Sequence, residues 1–121
     1  MAKRRISNSD GLRALERYLS EPNEVDLATI SRFLLEELAE KAPGNTVEVR
    51  VPPYGAIQCI EGPRHSRGTP PNVVEMRPET WVDIALGKIS WAEAVADSLV
   101  SASGVRADLA EVLPLKIRGL D

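Results

Sequence analysis

The sequence is poor in the residues that most specialised sites need. It has one cysteine, Cys59, so no disulfide can form within the chain and no multi-cysteine metal site can be built. It has one histidine, His65, which excludes paired-histidine metal centres. Aromatics are scarce, with Tyr18, Phe33, Tyr54, Trp81 and Trp91 the only ones. No apolar run exceeds three or four residues, far short of the roughly 20 that span a bilayer. The basic opening Lys3-Arg4-Arg5 has no apolar stretch behind it, so it does not read as a signal peptide. A cytoplasmic location, without stable membrane insertion, is the simplest expectation. Net charge is −3, with 15 basic and 18 acidic residues, which argues against bulk attraction to nucleic acid.

What is present reads as one ordinary globular domain over residues 1–121, with 43% hydrophobic and 27% charged residues. Residues 1–44 are helical in pattern. Leu12, Leu15 and Leu19 mark one face of a helix from about Ser9 to Ser20, and Glu21-Pro22-Asn23 breaks it. Leu27, Ile30, Leu34 and Leu38 mark a second helix from about Asp26 to Ala42, which Pro43-Gly44 ends. Residues 45–77 change period. Thr46 to Val51 alternates polar and apolar, and Pro52-Pro53-Tyr54-Gly55 turns the chain into a returning strand, Ala56 to Glu61. An irregular loop from Gly62 to Asn72 precedes a short strand, Val73 to Met76. In residues 78–121, Pro78 opens a helix that Gly87 stops, and Ser90 caps a second short one. Leu99 to Gly104 suggests a buried last strand. Val105, Leu109, Val112 and Leu113 suggest a terminal amphipathic helix closed by Pro114. This order of elements predicts an α+β fold with helices gathered on one face of an antiparallel sheet.

Few residue groups point to chemistry. Arg64, His65 and Arg67, with Arg50 nearby, supply donors that could hold a phosphate or carboxylate, although neither a phosphate-binding loop nor a dinucleotide fingerprint is present. The plainer reading is a solvated loop whose arginines pair with Glu61 and Glu75. Cys59 and His65 are spaced for a thiolate and its base, yet Cys59 lies in an apolar strand where a lone cysteine is usually a small hydrophobe. The carboxylate pairs Glu36/Glu40, Glu79/Asp83 and Glu93/Asp97 lie four apart on outer helix faces and read as solvation. No convergent titratable set emerges, so no catalytic residue, metal ligand or cofactor is assigned. Trp81 and Trp91 read as core anchors or as the lining of a ligand cavity.

Two stretches carry a resemblance. The segment Glu79-Thr80-Trp81-Val82-Asp83-Ile84-Ala85-Leu86-Gly87-Lys88-Ile89, followed by Ala92 to Ala96 and Ser101-Ala102-Ser103-Gly104, resembles the C-terminal half of sterol-carrier-protein-like domains. The stretch Val49 to His65, with Arg67 to Glu75, is similar to the small bacterial sterol-carrier-like proteins of actinobacterial type. The resemblance implies a mostly antiparallel sheet of about five strands, with helices covering one face. It also implies a tunnel between sheet and helices for a fatty-acyl or sterol-like ligand. Trp81, Ile84 and Ala85 would face the sheet, and Leu109, Val112 and Leu113 would form the cover. Three functions stay open: carriage of an apolar small molecule, a non-catalytic interaction or regulatory domain whose tunnel has collapsed, and binding of an anionic metabolite through Arg50, Arg64, His65 and Arg67. Homodimer formation is also left open.

Overall fold

Helix α1 (Asn8–Ser20) starts where the Ser7 side chain accepts from the Asp10 amide at 3.1 Å. Helix α2 (Glu24–Lys41) starts in the same manner, with Asn23 Oδ1 accepting from the Asp26 amide at 2.9 Å. The computed structural model describes residues 5–62 and 71–120. Gly11 lets the two helices meet closely, since a Cβ there would stand 2.3 Å from the Phe33 ring. Arg17 and Asn23 close the turn between them, both hydrogen bonded to the Asp26 carboxylate.

Strands β1 (Val47–Val51) and β2 (Gly55–Cys59) form the expected hairpin, pairing Val49 with Ile57 and Val47 with Cys59. Strand β3 (Asn72–Met76) lies on the other side of β1 and runs parallel to it. Strand β4 (Val100–Ser103) then pairs antiparallel with β3. Among the described residues the sheet therefore has four strands, ordered β2-β1-β3-β4, and it is mixed. The expected five-stranded, mostly antiparallel sheet is corrected on both counts. Strand β3 starts beside Val47, the residue opposite the end of β2, and pairs with the other side of β1, so the two run parallel. Strand order is a long-range property that local alternation does not encode.

Helices α3 (Pro78–Ala85) and α4 (Trp91–Ala96) follow, α4 opened by a capping box between Ser90 and Glu93. Helix α2 packs against β2 and against both α1 and α3. Val47, Val49, Val51, Val74 and Met76 are buried on the inner face of the sheet. On its outer face Arg50, Gln58 and Glu75 are exposed. The α+β class is as expected.

Two further expectations fail in the last quarter. Strand β4 is not buried: Ser101, Ala102 and Ser103 are exposed, because β4 is the sheet's edge. No terminal helix forms over Val105–Leu113, where only turns occur. The Asp108 carboxylate accepts from the Ala110 amide at 2.8 Å and the Leu113 amide donates to the Leu109 carbonyl at 3.1 Å, so one turn closes before Pro114 ends it. Val105 is 100% exposed, so the supposed apolar stripe does not lie along one buried face.

Candidate functional site

The interior between sheet and helices is where an apolar ligand would lie, and the structure fills it with side chains. Trp81 and Ala85 of α3 expose no surface, and Ile84 almost none. They share one hydrophobic cluster with Leu34 and Leu38 of α2 and with Val49 and Val74 of the sheet. The Trp81 indole Nε1 donates to the Ser31 carbonyl of α2 at 3.1 Å, so its polar edge is directed at the α2–α3 seam. Phe33, Leu34, Leu38, Trp81 and Leu109 expose no surface. The Ser31 hydroxyl is buried here and finds no hydrogen-bond partner among the described residues. Nothing in the helical spacing of α2 distinguished that serine.

The cover over this interior is a strap, residues 104–118, without regular secondary structure. Leu109 is fully buried, and Leu115, Ile117 and Ala107 are nearly so. Val112 and Leu113 are half-buried and pack at the margin of the cluster. Polar attachments of the strap run to its neighbours at both ends. The Arg106 amide donates to Asn72 Oδ1 at 3.0 Å, and the Leu115 amide to the Ala85 carbonyl at 2.9 Å. Lys41 Nζ donates to the carbonyls of Val112 and Pro114, and Asn8 Nδ2 to that of Arg118. The anchors Leu115 and Ile117 escaped the sequence reading, which sought a helix. Their signal is the period-two alternation Leu115-Lys116-Ile117-Arg118.

The anion-binding candidates are placed differently. Arg64, His65 and Arg67 lie outside the described residues. Arg50 is on the outer face of the sheet, its Nε 2.7 Å from Glu48 Oε2. Its hydrogen bond to Glu48, with Glu75 adding a weaker attraction, holds the guanidinium pKa above its usual value. Glu75 is the residue opposite Arg50 across the parallel pair. Cys59 is fully buried, and burial pushes its thiol up to about 11, so it stays protonated at neutral pH.

Surface clefts bounded by described residues are polar or mixed in lining. One of about 400 Å³ lies between Asn8, Glu37, Glu40, Lys116 and Arg118. Another of about 290 Å³ lies at the end of the sheet, where Ile60, Val105 and Val112 join Thr46, Glu61 and Arg106 in a mixed lining. Neither reaches Trp81 or Leu109. No helix among the described residues is long and apolar enough to cross a membrane.

Comparison with known proteins adds one match. A search of curated proteins found none. The family described as bacterial SCP ortholog matches residues 23–115, from the Asn23 cap of α2 to the strap residue tied to Ala85. The matched span thus holds every strand, α2 to α4 and most of the strap, with α1 added in front of it. On that match the chain belongs to the family of bacterial sterol-carrier-protein orthologs.

Proposed function

We propose that this protein is a non-catalytic carrier of an apolar small molecule, a fatty-acyl or sterol-like lipid. The ligand is taken up between sheet and helices when the strap moves aside. The observation that carries the reading is the strap itself. It closes a largely apolar interior with a few inserted side chains and scattered hydrogen bonds instead of a helix. A segment with little regular structure and few attachments is the kind that opens below the global unfolding free energy.

Magnitudes set the ligand class. Lifting the strap exposes Leu109, Leu115 and Ile117, at about 1.5–3 kcal/mol each. A buried methylene returns about 0.8 kcal/mol, so roughly six to eleven of them balance the opening before any cost of association is met. Short acids therefore fail and long chains bind. The test is a titration series of straight-chain fatty acids followed by calorimetry. Affinity is expected to emerge above roughly ten carbons and to rise with each further methylene. Absence of binding at every length overturns the proposal.

A second reading, an interaction or regulatory domain with a collapsed tunnel, is favoured by the same closed interior, in which Trp81 and Leu109 expose no surface. It expects no ligand at any chain length. The anionic-metabolite reading draws less support, because Arg50 is already engaged by Glu48 and faces away from the interior.

A further inference from the structure

Three polar side chains are buried among the described residues: Asp26, Ser31 and Thr46. Asp26 is held by Arg17 and Asn23, and Thr46 is also engaged. The Ser31 hydroxyl alone meets neither donor nor acceptor among the described residues, and Ser31 exposes no surface. A buried hydroxyl without a partner is a standing cost that an apolar residue at the same helical position would avoid. Its place in the fold is specific. Ser31 shares a face of α2 with Leu27, Leu34, Leu35 and Leu38, all buried. Its backbone carbonyl receives the Trp81 indole N–H at 3.1 Å, so the residue sits where α2 meets α3. The indole donor is used in that bond, and the neighbouring hydroxyl is left over.

We infer that the Ser31 hydroxyl is a polar contact for a ligand lying against Trp81, and that its partner is a neutral oxygen, that of a long-chain alcohol. The inference rests on the carrier reading proposed above and adds the chemistry of the ligand's buried end. Charge decides against a carboxylate there. Asp26 is the one charged side chain buried among the described residues; it is negative, and Arg17 is already engaged with it. An ionised carboxylate brought to Ser31 therefore finds no buried cation, and an unpaired charge in an apolar interior costs far more than an unpaired hydroxyl. An alcohol avoids that cost. A serine hydroxyl both donates and accepts, and so does the alcohol's, so the two satisfy each other in either direction. A fatty acid accordingly enters tail first, with its carboxylate outside, and leaves Ser31 unpaired. A fatty alcohol enters hydroxyl first and completes it.

The test compares hexadecanol with chlorohexadecane, whose chlorine fills much the same space but is a poor hydrogen-bond acceptor. Both are offered together, from a cyclodextrin complex, to the full-chain wild type and to Ser31→Ala. The lipids retained by each protein are extracted and measured by gas chromatography with mass detection. Both lipids need the strap to open, and both feel any change in the stability of the closed form equally. The ratio of alcohol to chloride bound is therefore blind to those effects, and delivery from the carrier is common to the two proteins. The wild type is expected to favour the alcohol about fivefold more than Ser31→Ala does, the effect of one net hydrogen bond. A ratio that is unchanged, or higher in the variant, overturns the inference and leaves carriage of an apolar molecule standing. Retention of neither lipid by either protein overturns the inference and the carrier reading together.

Discussion

Leu109→Ala separates stability from affinity in a way that an ordinary core residue would not. Leu109 exposes no surface, and truncating such a leucine typically costs 2–5 kcal/mol in lost transfer energy and residual cavity. At about 3 kcal/mol, the melting temperature of the ligand-free protein falls by on the order of 10–15 °C. Leu109 belongs to the strap, so the same loss weakens only the closed form that competes with the ligand. A ligand whose site is rarely open binds with its affinity reduced by the open fraction. Raising that fraction by about 3 kcal/mol strengthens apparent binding roughly a hundredfold. The assay is thermal unfolding without ligand beside calorimetric titration of a saturated C16 acid, for wild type and variant. The expected outcome is a less stable protein that binds more tightly. If affinity falls with stability, or does not change, Leu109 is not part of a displaced cover and the reasoning fails.

Other substitutions check the packing on which that argument depends. Gly11→Ala gains about 1 kcal/mol of helix propensity but drives a Cβ to 2.3 Å from the ring of the fully buried Phe33. Overpacking there costs about 1–3 kcal/mol, so the net effect is a loss, read as a lower urea midpoint; a gain would show that the α1–α2 contact is looser than described. Ser31→Ala removes a buried hydroxyl that has no partner and is expected to stabilise by about 1 kcal/mol in the same assay. Hydrogen bonds from Arg17 first, and from Asn23, hold the Asp26 carboxyl below its ordinary 3.8. The unfolded chain therefore takes up the proton first as pH falls. The contribution is complete above the ordinary value and is lost as pH drops from there through the lowered folded value. Asp26→Asn should flatten the acid limb of a stability–pH profile in that window, and an unchanged limb would contradict the pairing.

How far the sequence reached depended on whether the deciding interaction was local. Both N-terminal helices were legible because their apolar spacing is local, although the Asn23 that caps α2 was read only as part of the break before it. The β1–β2 hairpin was legible for the same reason. The parallel β1–β3 pair was not, because it depends on which side of β1 the chain chooses after leaving β2. Val105, Leu109, Val112 and Leu113 have helical spacing, but a succession of turns reproduces such spacing over one or two repeats. The chain there closes a single turn, Leu113 N to Leu109 O, and goes no further before Pro114, which has no amide to continue it. For the candidate site, Trp81, Ile84 and Ala85 were expected to face the sheet and Leu109, Val112 and Leu113 to cover it; the first three and Leu109 are buried, and Val112 and Leu113 are half-buried. Leu115, Ile117 and Ser31 were missed, since an extended strap and an orphaned hydroxyl leave little mark on periodicity.

The two tryptophans make the central claim directly measurable. Trp81 is fully buried beneath the helices, whereas Trp91 is only partly buried. In the Trp91→Phe variant, fluorescence arises from Trp81 alone. Titration with a long-chain fatty acid brominated along its tail is expected to quench that fluorescence saturably, and an excess of the unbrominated acid to reverse it. Bromine quenching requires near contact, so this outcome places the chain in the interior under the strap. Quenching seen in the wild type but lost in Trp91→Phe, or none in either protein, would contradict uptake between sheet and helices.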